Sequence, residues 1–155
     1  MSVRPGVRLG VDVGKARVGI AVCDRDGLIA TPVATLARPD ADERSFRMLV
    51  AEYRPIELVV GLPLSLGGGD TASTTDARDL ADSIAAWVDV PVRLVDERLS
   101  TVSAQRALQA AGRRSKGSRP VIDQVAAVII LQNALDHERS AGRPPGSLVD
   151  PDGGA

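Results

Sequence analysis

The sequence predicts an α/β fold, a five-stranded mixed sheet flanked by helices, and three observations predict it. Three β-branched, apolar runs follow one another early in the chain with only short turns between them. Beyond them, helical and strand periodicities alternate. At 155 residues the chain has the length of one ordinary domain with one core.

Residues 7 to 13 (VRLGVDV) and 17 to 23 (RVGIAVC) read as paired strands joined by a short glycine-containing segment. Asp24-Arg25-Asp26-Gly27 is a turn, and Leu28 to Leu36 is a third strand that Pro32 marks as edge or bulged. Asp42 to Tyr53 carries Phe46, Leu49 and Val50 at helical spacing and stops before Pro55. Ile56 to Val60 is then a short buried strand. After the glycine-rich loop Gly61 to Ser73, Thr75 to Trp87 aligns Ala77, Leu80, Ala81, Ile84 and Trp87 on one helical face. Val90 to Val95 is the fifth strand. Thr101 to Ala111 and Pro120 to Glu138 read as helices separated by a polar linker. The expected organisation is a single domain over 1–138 with a disordered Gly- and Pro-rich tail over 139–155.

Composition narrows the function classes. With 44% hydrophobic and 25% charged residues the chain is neither disordered nor membrane-embedded, and its apolar run Val125 to Leu131 is far short of the roughly 20 residues that span a bilayer. The N-terminus has no signal-peptide pattern, and the lone Cys23 excludes an internal disulfide, so a reducing cytoplasm is expected. A net charge of −1 gives no global positive field, so any nucleic-acid site must be local. Only 2% of residues are aromatic, which directs recognition to phosphates and shape instead of base stacking.

Three acidic positions stand out. Asp12 interrupts the apolar run Leu9 to Val13, and alternation puts it on one strand face with Gly10 and Gly14, leaving a slot where a metal or phosphate could approach. A carboxylate capping a turn would fit the same spacing equally well. Asp123 lies in the first turn of the last helix, in line with Ala126, Ala127, Ile130, Leu131 and Ala134, so it points inward. Favourable interaction with the helix dipole is the plainer explanation of an acid there. Asp96-Glu97-Arg98 follows the fifth strand, at the end where ligands collect in open α/β sheets if the strands run parallel. Clustered carboxylates repel one another unless a hard cation fills the cluster, and oxygen-only ligation selects magnesium or manganese over zinc. The only histidine, His137, lies at the far end of the last helix. Finally, the linker Gly112 to Arg119 holds Arg113, Arg114, Lys116 and Arg119 with no acid, a phosphate clamp or else solvated surface, and Lys15 and Arg17 could extend the same patch.

These residues occur in an ordered set of motifs: Asp12-Val-Gly14 with Gly19 following, Gly61-Leu-Pro-Leu64, Asp96-Glu-Arg-Leu-Ser-Thr101, and Asp123-Gln-Val-Ala-Ala127 leading to Ile130-Leu-Gln132. In this the chain resembles the YqgF/RuvX family, described as Holliday-junction resolvases or as nucleases that mature the 16S ribosomal RNA precursor. The resemblance covers nearly all of residues 8 to 138. It implies an RNase H-like fold, with Asp12, Glu97 and Asp123 as catalytic, metal-binding residues and Arg98, Ser100 and Thr101 beside them. Asp96 or Glu97 could be the ligand as far as strand alternation tells, and the resemblance favours Glu97. The sequence departs from the family at Asn133-Ala134, where many members have an aromatic residue, and in the glycine-rich stretch Gly67 to Asp70.

The expected chemistry is in-line phosphodiester hydrolysis with Mg2+ or Mn2+, one ion helping to generate the attacking hydroxide and a second, roughly 4 Å away, stabilising the leaving oxygen. The expected partner is structured RNA or branched DNA, with no membrane, and a homodimer if two matched cuts are made. Two rivals compete: a non-catalytic binding module using the basic linker, and an actin-like phosphotransferase, for which the chain is too short and Lys15 stands where a hydroxyl residue belongs.

Overall fold

The structure, a computed structural model, describes residues 3–65, 67–99 and 119–150. Its elements are β1 (Arg8–Val13), β2 (Arg17–Cys23), β3 (Ala30–Ala37), α1 (Glu43–Tyr53), β4 (Glu57–Leu62), α2 (Ala72–Trp87), β5 (Val92–Asp96), α3 (Arg119–Ala141) and β6 (Ser147–Leu148), with 3-10 turns at Arg38–Asp40 and Glu97–Leu99.

The strands form one mixed sheet in the order β3-β2-β1-β4-β5-β6. β1, β2 and β3 are the antiparallel meander, while β4 lies parallel to β1 and β5 parallel to β4. Asp24 closes the β2–β3 turn, its carboxylate accepting from the backbone of Asp26, Leu28 and Ile29. β3 is an edge strand, and its register with β2 shifts where Pro32 pairs Ala21, so a bulge absorbs the missing donor. α1 begins at Asp42, whose side chain accepts from Ser45 N, and α2 begins at Thr71 in a capping box with Thr74.

Alternation divides the core. Leu9, Val11 and Val13 of β1 face Phe46 of α1 and Ala77, Ala81 and Ile84 of α2, whereas Ala21, Cys23 and Val59 face Ala127, Ile130, Leu131 and Leu135 of α3. Arg8, Gly10 and Asp12 share the α3 face. At its lower end, Arg8 and Glu138 pair at 3.2 Å and both are buried, Arg4 bridges Glu138 and Glu57, and Arg93 closes the set on Glu57. Burial works against its ionisation, but bonds from Arg4 keep the Glu138 carboxyl below the usual range.

The sheet has six strands, not the five expected. β6 pairs antiparallel with β5, and Val149 beside it is buried, so residues 147–149 are built into the fold where the sequence suggested a disordered tail. Two residues between Gly146 and Val149 carry too short an alternation to register as a strand. The expected helix at 101–111 and the basic linker, except Arg119, lie outside the described residues.

Candidate active site

Gly10 and Gly61 are where α3 comes down onto the sheet. A Cβ on Gly10 would meet Leu131 Cβ at 2.7 Å and the Ala127 carbonyl oxygen at 3.0 Å, and one on Gly61 would meet Ile130 Cδ1 at 2.5 Å. Only a strand residue without a side chain permits this approach. Asp12 lies two residues beyond Gly10 on the same face and is 2% exposed. The parallel register pairs Val11 with Val60, and one residue further it sets Asp12 level with Gly61, about 4.8 Å away on the neighbouring strand.

Glu97 reaches the same spot from β5. It opens the 3-10 turn that ends the strand, is 3% exposed, and places Oε2 2.9 Å from the position a Gly61 Cβ would take. Gly61 thus lies beneath the Glu97 carboxylate and beside the buried Asp12 on the neighbouring strand. Asp96 is held differently: Arg98 donates to it through its backbone N–H and guanidinium, the shortest bond being 2.7 Å from Nη2 to Oδ2. These bonds keep the Asp96 carboxyl below the usual range. Glu97 goes the other way, pushed up to about 7 by burial and then by the charge of Asp96.

Position 123 is carried to the same region by α3. The helix runs against β1, with Glu138 at Arg8 and Ala127 and Leu131 at Gly10. One further helical turn and two further strand residues each cover about 6 Å, which brings the backbone of position 123 to the level of Asp12. The side chain of Asp123 lies outside the described residues, as do Ser100, Thr101, Arg113, Arg114 and Lys116. Lys15 is exposed in the β1–β2 turn on the side of α2, where Arg38 and Lys15 hold Asp76 below its usual range. Arg17, half buried, opens β2, and its carbonyl closes that turn on Gly14 N. Arg98 lies against Gly68 of the glycine-rich loop, 3.1 Å from where its Cβ would be.

The structure adds residues that the sequence reading missed. Arg38 grips Asp76 with two bonds of 2.7 Å and donates to the Gly14 carbonyl, tying the turn that follows Asp12 to α2. A cavity of about 250 Å³ opens between β5, α3 and residues 145–147, with Glu97, Asn133 and His137 on its wall. No local pattern marks either feature, since each joins segments far apart in the chain.

Among the described residues no three Asp, Glu, His or Cys side chains form a metal-holding group. The pair that is described nonetheless suits a hard divalent cation. Its donors are carboxylate oxygens alone, glycine leaves room between them, and a cation would favour the charged form of Glu97 that burial disfavours.

Comparison with known proteins places the chain. Residues 6–137 match the family described as "RuvX: Holliday junction resolvase". The chain belongs to the RuvX family. This RuvX-family chain is 59% identical to a protein of Clavibacter michiganensis subsp. michiganensis over 97% of its own length and 98% of the relative's, and 55% identical to one of Streptomyces coelicolor over 96% and 90%. Both are named "Putative pre-16S rRNA nuclease". Among solved structures, RuvC of T. thermophilus in complex with a Holliday junction substrate superposes with a TM-score of 0.57 at 16% identity, covering 92% of the RuvX-family chain and 99% of RuvC. That likeness shows the RNase H-like fold. No described helix of the RuvX-family chain is long and apolar enough to cross a membrane.

Proposed function

We propose that this protein is a cytoplasmic, metal-dependent nuclease that hydrolyses phosphodiesters in the maturation of the 5′ end of the 16S rRNA precursor. The observation that carries this reading is that two buried carboxylates lie next to Gly61, Glu97 over it and Asp12 level with it on the neighbouring strand. The names of relatives at 55–59% identity support the substrate.

In this reading Asp12, Glu97 and Asp123 hold Mg2+ or Mn2+. Such an ion, when bound, makes water a nucleophile near neutral pH and neutralises charge on the phosphodiester. The chain's own residues orient and shield. Arg98 takes up Asp96, which anchors the strand end, while Glu97 is the acid of the adjacent pair that lies over Gly61. Arg98, Ser100 and Thr101 border the site, and Lys15, Arg17, Arg113, Arg114 and Lys116 attract phosphates.

The second reading is Holliday-junction resolution, favoured by the description of the family that matches residues 6–137. Two matched cuts require a symmetric dimer. The deciding experiment compares cleavage of a 16S precursor RNA and of a four-way DNA junction by purified protein in Mg2+ or Mn2+ and in EDTA, with native mass alongside. RNA cleavage that disappears in EDTA is expected. Asp12→Asn should abolish it while substrate binding and melting temperature stay near wild type, because it removes a charge with little change in shape. Full activity in EDTA, or in the variant, overturns the metal reading, and junction cleavage alone by a dimer selects the second.

A further inference from the structure

We propose that the cavity between β5, α3 and residues 145–147 is a subsite for one unpaired nucleobase of the substrate, next to the bond that is cut. The inference rests on the nuclease reading of Asp12 and Glu97.

Size comes first. At about 250 Å³ the cavity is smaller than the roughly 300–1,000 Å³ that takes drug-sized ligands, so it suits one flat heterocycle and not a base pair or a peptide segment. Its walls are of the matching kind. Val95 of the sheet, Ile130 and Ala134 of α3 and Pro145 of the C-terminal segment supply apolar surface from three directions. Asn133 and His137 also line it, and four-residue spacing puts them one above the other on a single face of α3. An amide and an imidazole together offer donors and acceptors, as the edge of a base requires. The Asn133 amide is already steered, since Nδ2 donates to the Ile129 carbonyl at 2.9 Å.

Position identifies the ligand. Glu97 belongs both to the cavity wall and to the carboxylate pair, so whatever fills the cavity adjoins whatever is cut beside Asp12. In a nucleic acid the group next to a phosphodiester that is flat, uncharged and edged with hydrogen-bonding atoms is a base. It must be unstacked to enter, which single-stranded or looped substrate allows at least cost. Phe46, Tyr53 and Trp87, the chain's only aromatic residues, all pack on the opposite face of the sheet. The base is therefore held by aliphatic walls and edge contacts. Such a slot discriminates among bases where an aromatic platform tolerates them all.

The test titrates the full-length protein in EDTA with adenosine, guanosine, cytidine and uridine, which hold no phosphodiester to cleave, and follows backbone amide NMR signals. One or more nucleosides should shift Val95, Asn133 and Ala134. Asn133→Leu, which keeps the shape of the amide but removes its donor and acceptor, and Ser147→Trp, which fills the cavity from an exposed strand position, should each weaken this by about tenfold or more. On RNA randomised beside the cleavage point, the wild type should prefer certain bases and both variants should lose the preference. Nucleosides that leave these amides unmoved, or folded variants that bind and choose like wild type, overturn the proposal. A wild type that cleaves nothing overturns the nuclease reading instead, and the nucleoside titration still reports on the cavity by itself.

Discussion

Glu97 is the residue whose surroundings make the sharpest demand. Its ordinary value near 4.5 is pushed up to about 7 by burial and by Asp96, so between those limits the folded protein holds a proton that the unfolded chain has released. Stability must then fall as pH rises through that window. In EDTA the melting temperature should be higher near pH 5.5 than at pH 8, and Glu97→Gln should flatten the difference. Mg2+ at pH 8 should raise the melting temperature of the wild type and leave Glu97→Gln nearly unmoved. Equal pH dependence in wild type and variant would remove Glu97 as its source. Below the window the sign reverses: Glu138 and Asp76, held low by their arginines, contribute stability that disappears as acid protonates them.

Among elements, α3 joins the proposed chemistry to the scaffold, with the level of Asp12 near its start and a buried ion pair near its end. Glu138→Ala would strand Arg8, which is 1% exposed, without its carboxylate, and should cost about 3–5 kcal/mol in urea denaturation. Gly10→Ala forces a methyl against the Ala127 carbonyl, which no rotamer change can relieve, and should cost about 1–3 kcal/mol. A loss below about 0.5 kcal/mol in either, the range of an ordinary surface substitution, would contradict the packing described. How much of this could be read from the chain depends on range. Asp12 was legible because a charge breaks an apolar run between same-face glycines. Glu97 could not be separated from Asp96, because the strand gives way to a 3-10 turn there and alternation no longer assigns a face. Arg8 and Glu57 pass in sequence for ordinary strand ends, and only their partners, up to 130 residues away, show that they are buried. β6 and the cavity it helps wall were invisible for the same reason.

For the whole molecule, a net charge of −1 means that affinity for nucleic acid must come from local cations. The densest such run is Arg113, Arg114 and Lys116. Replacing all three with Ala should weaken binding to every sequence alike and flatten the dependence of log K on log salt by somewhat under one unit for each phosphate no longer neutralised, with cleavage at saturating substrate little changed. Titrations of wild type and triple variant at several salt concentrations decide it. An unchanged slope identifies the run as solvated surface.

The two glycines beneath α3 differ in what could ever replace them. At Gly61 the nearest obstacle is the tip of Ile130, a side chain that a shorter residue would withdraw; at Gly10 it includes a carbonyl of the helix itself. A descendant could therefore acquire a methyl at position 61 if the Ile130 tip swung aside or shrank, though the newcomer would still press on Glu97. Position 10 offers no such route. Its history should be written in one letter, with change along this seam confined to pairs that alter helix and sheet in sequence.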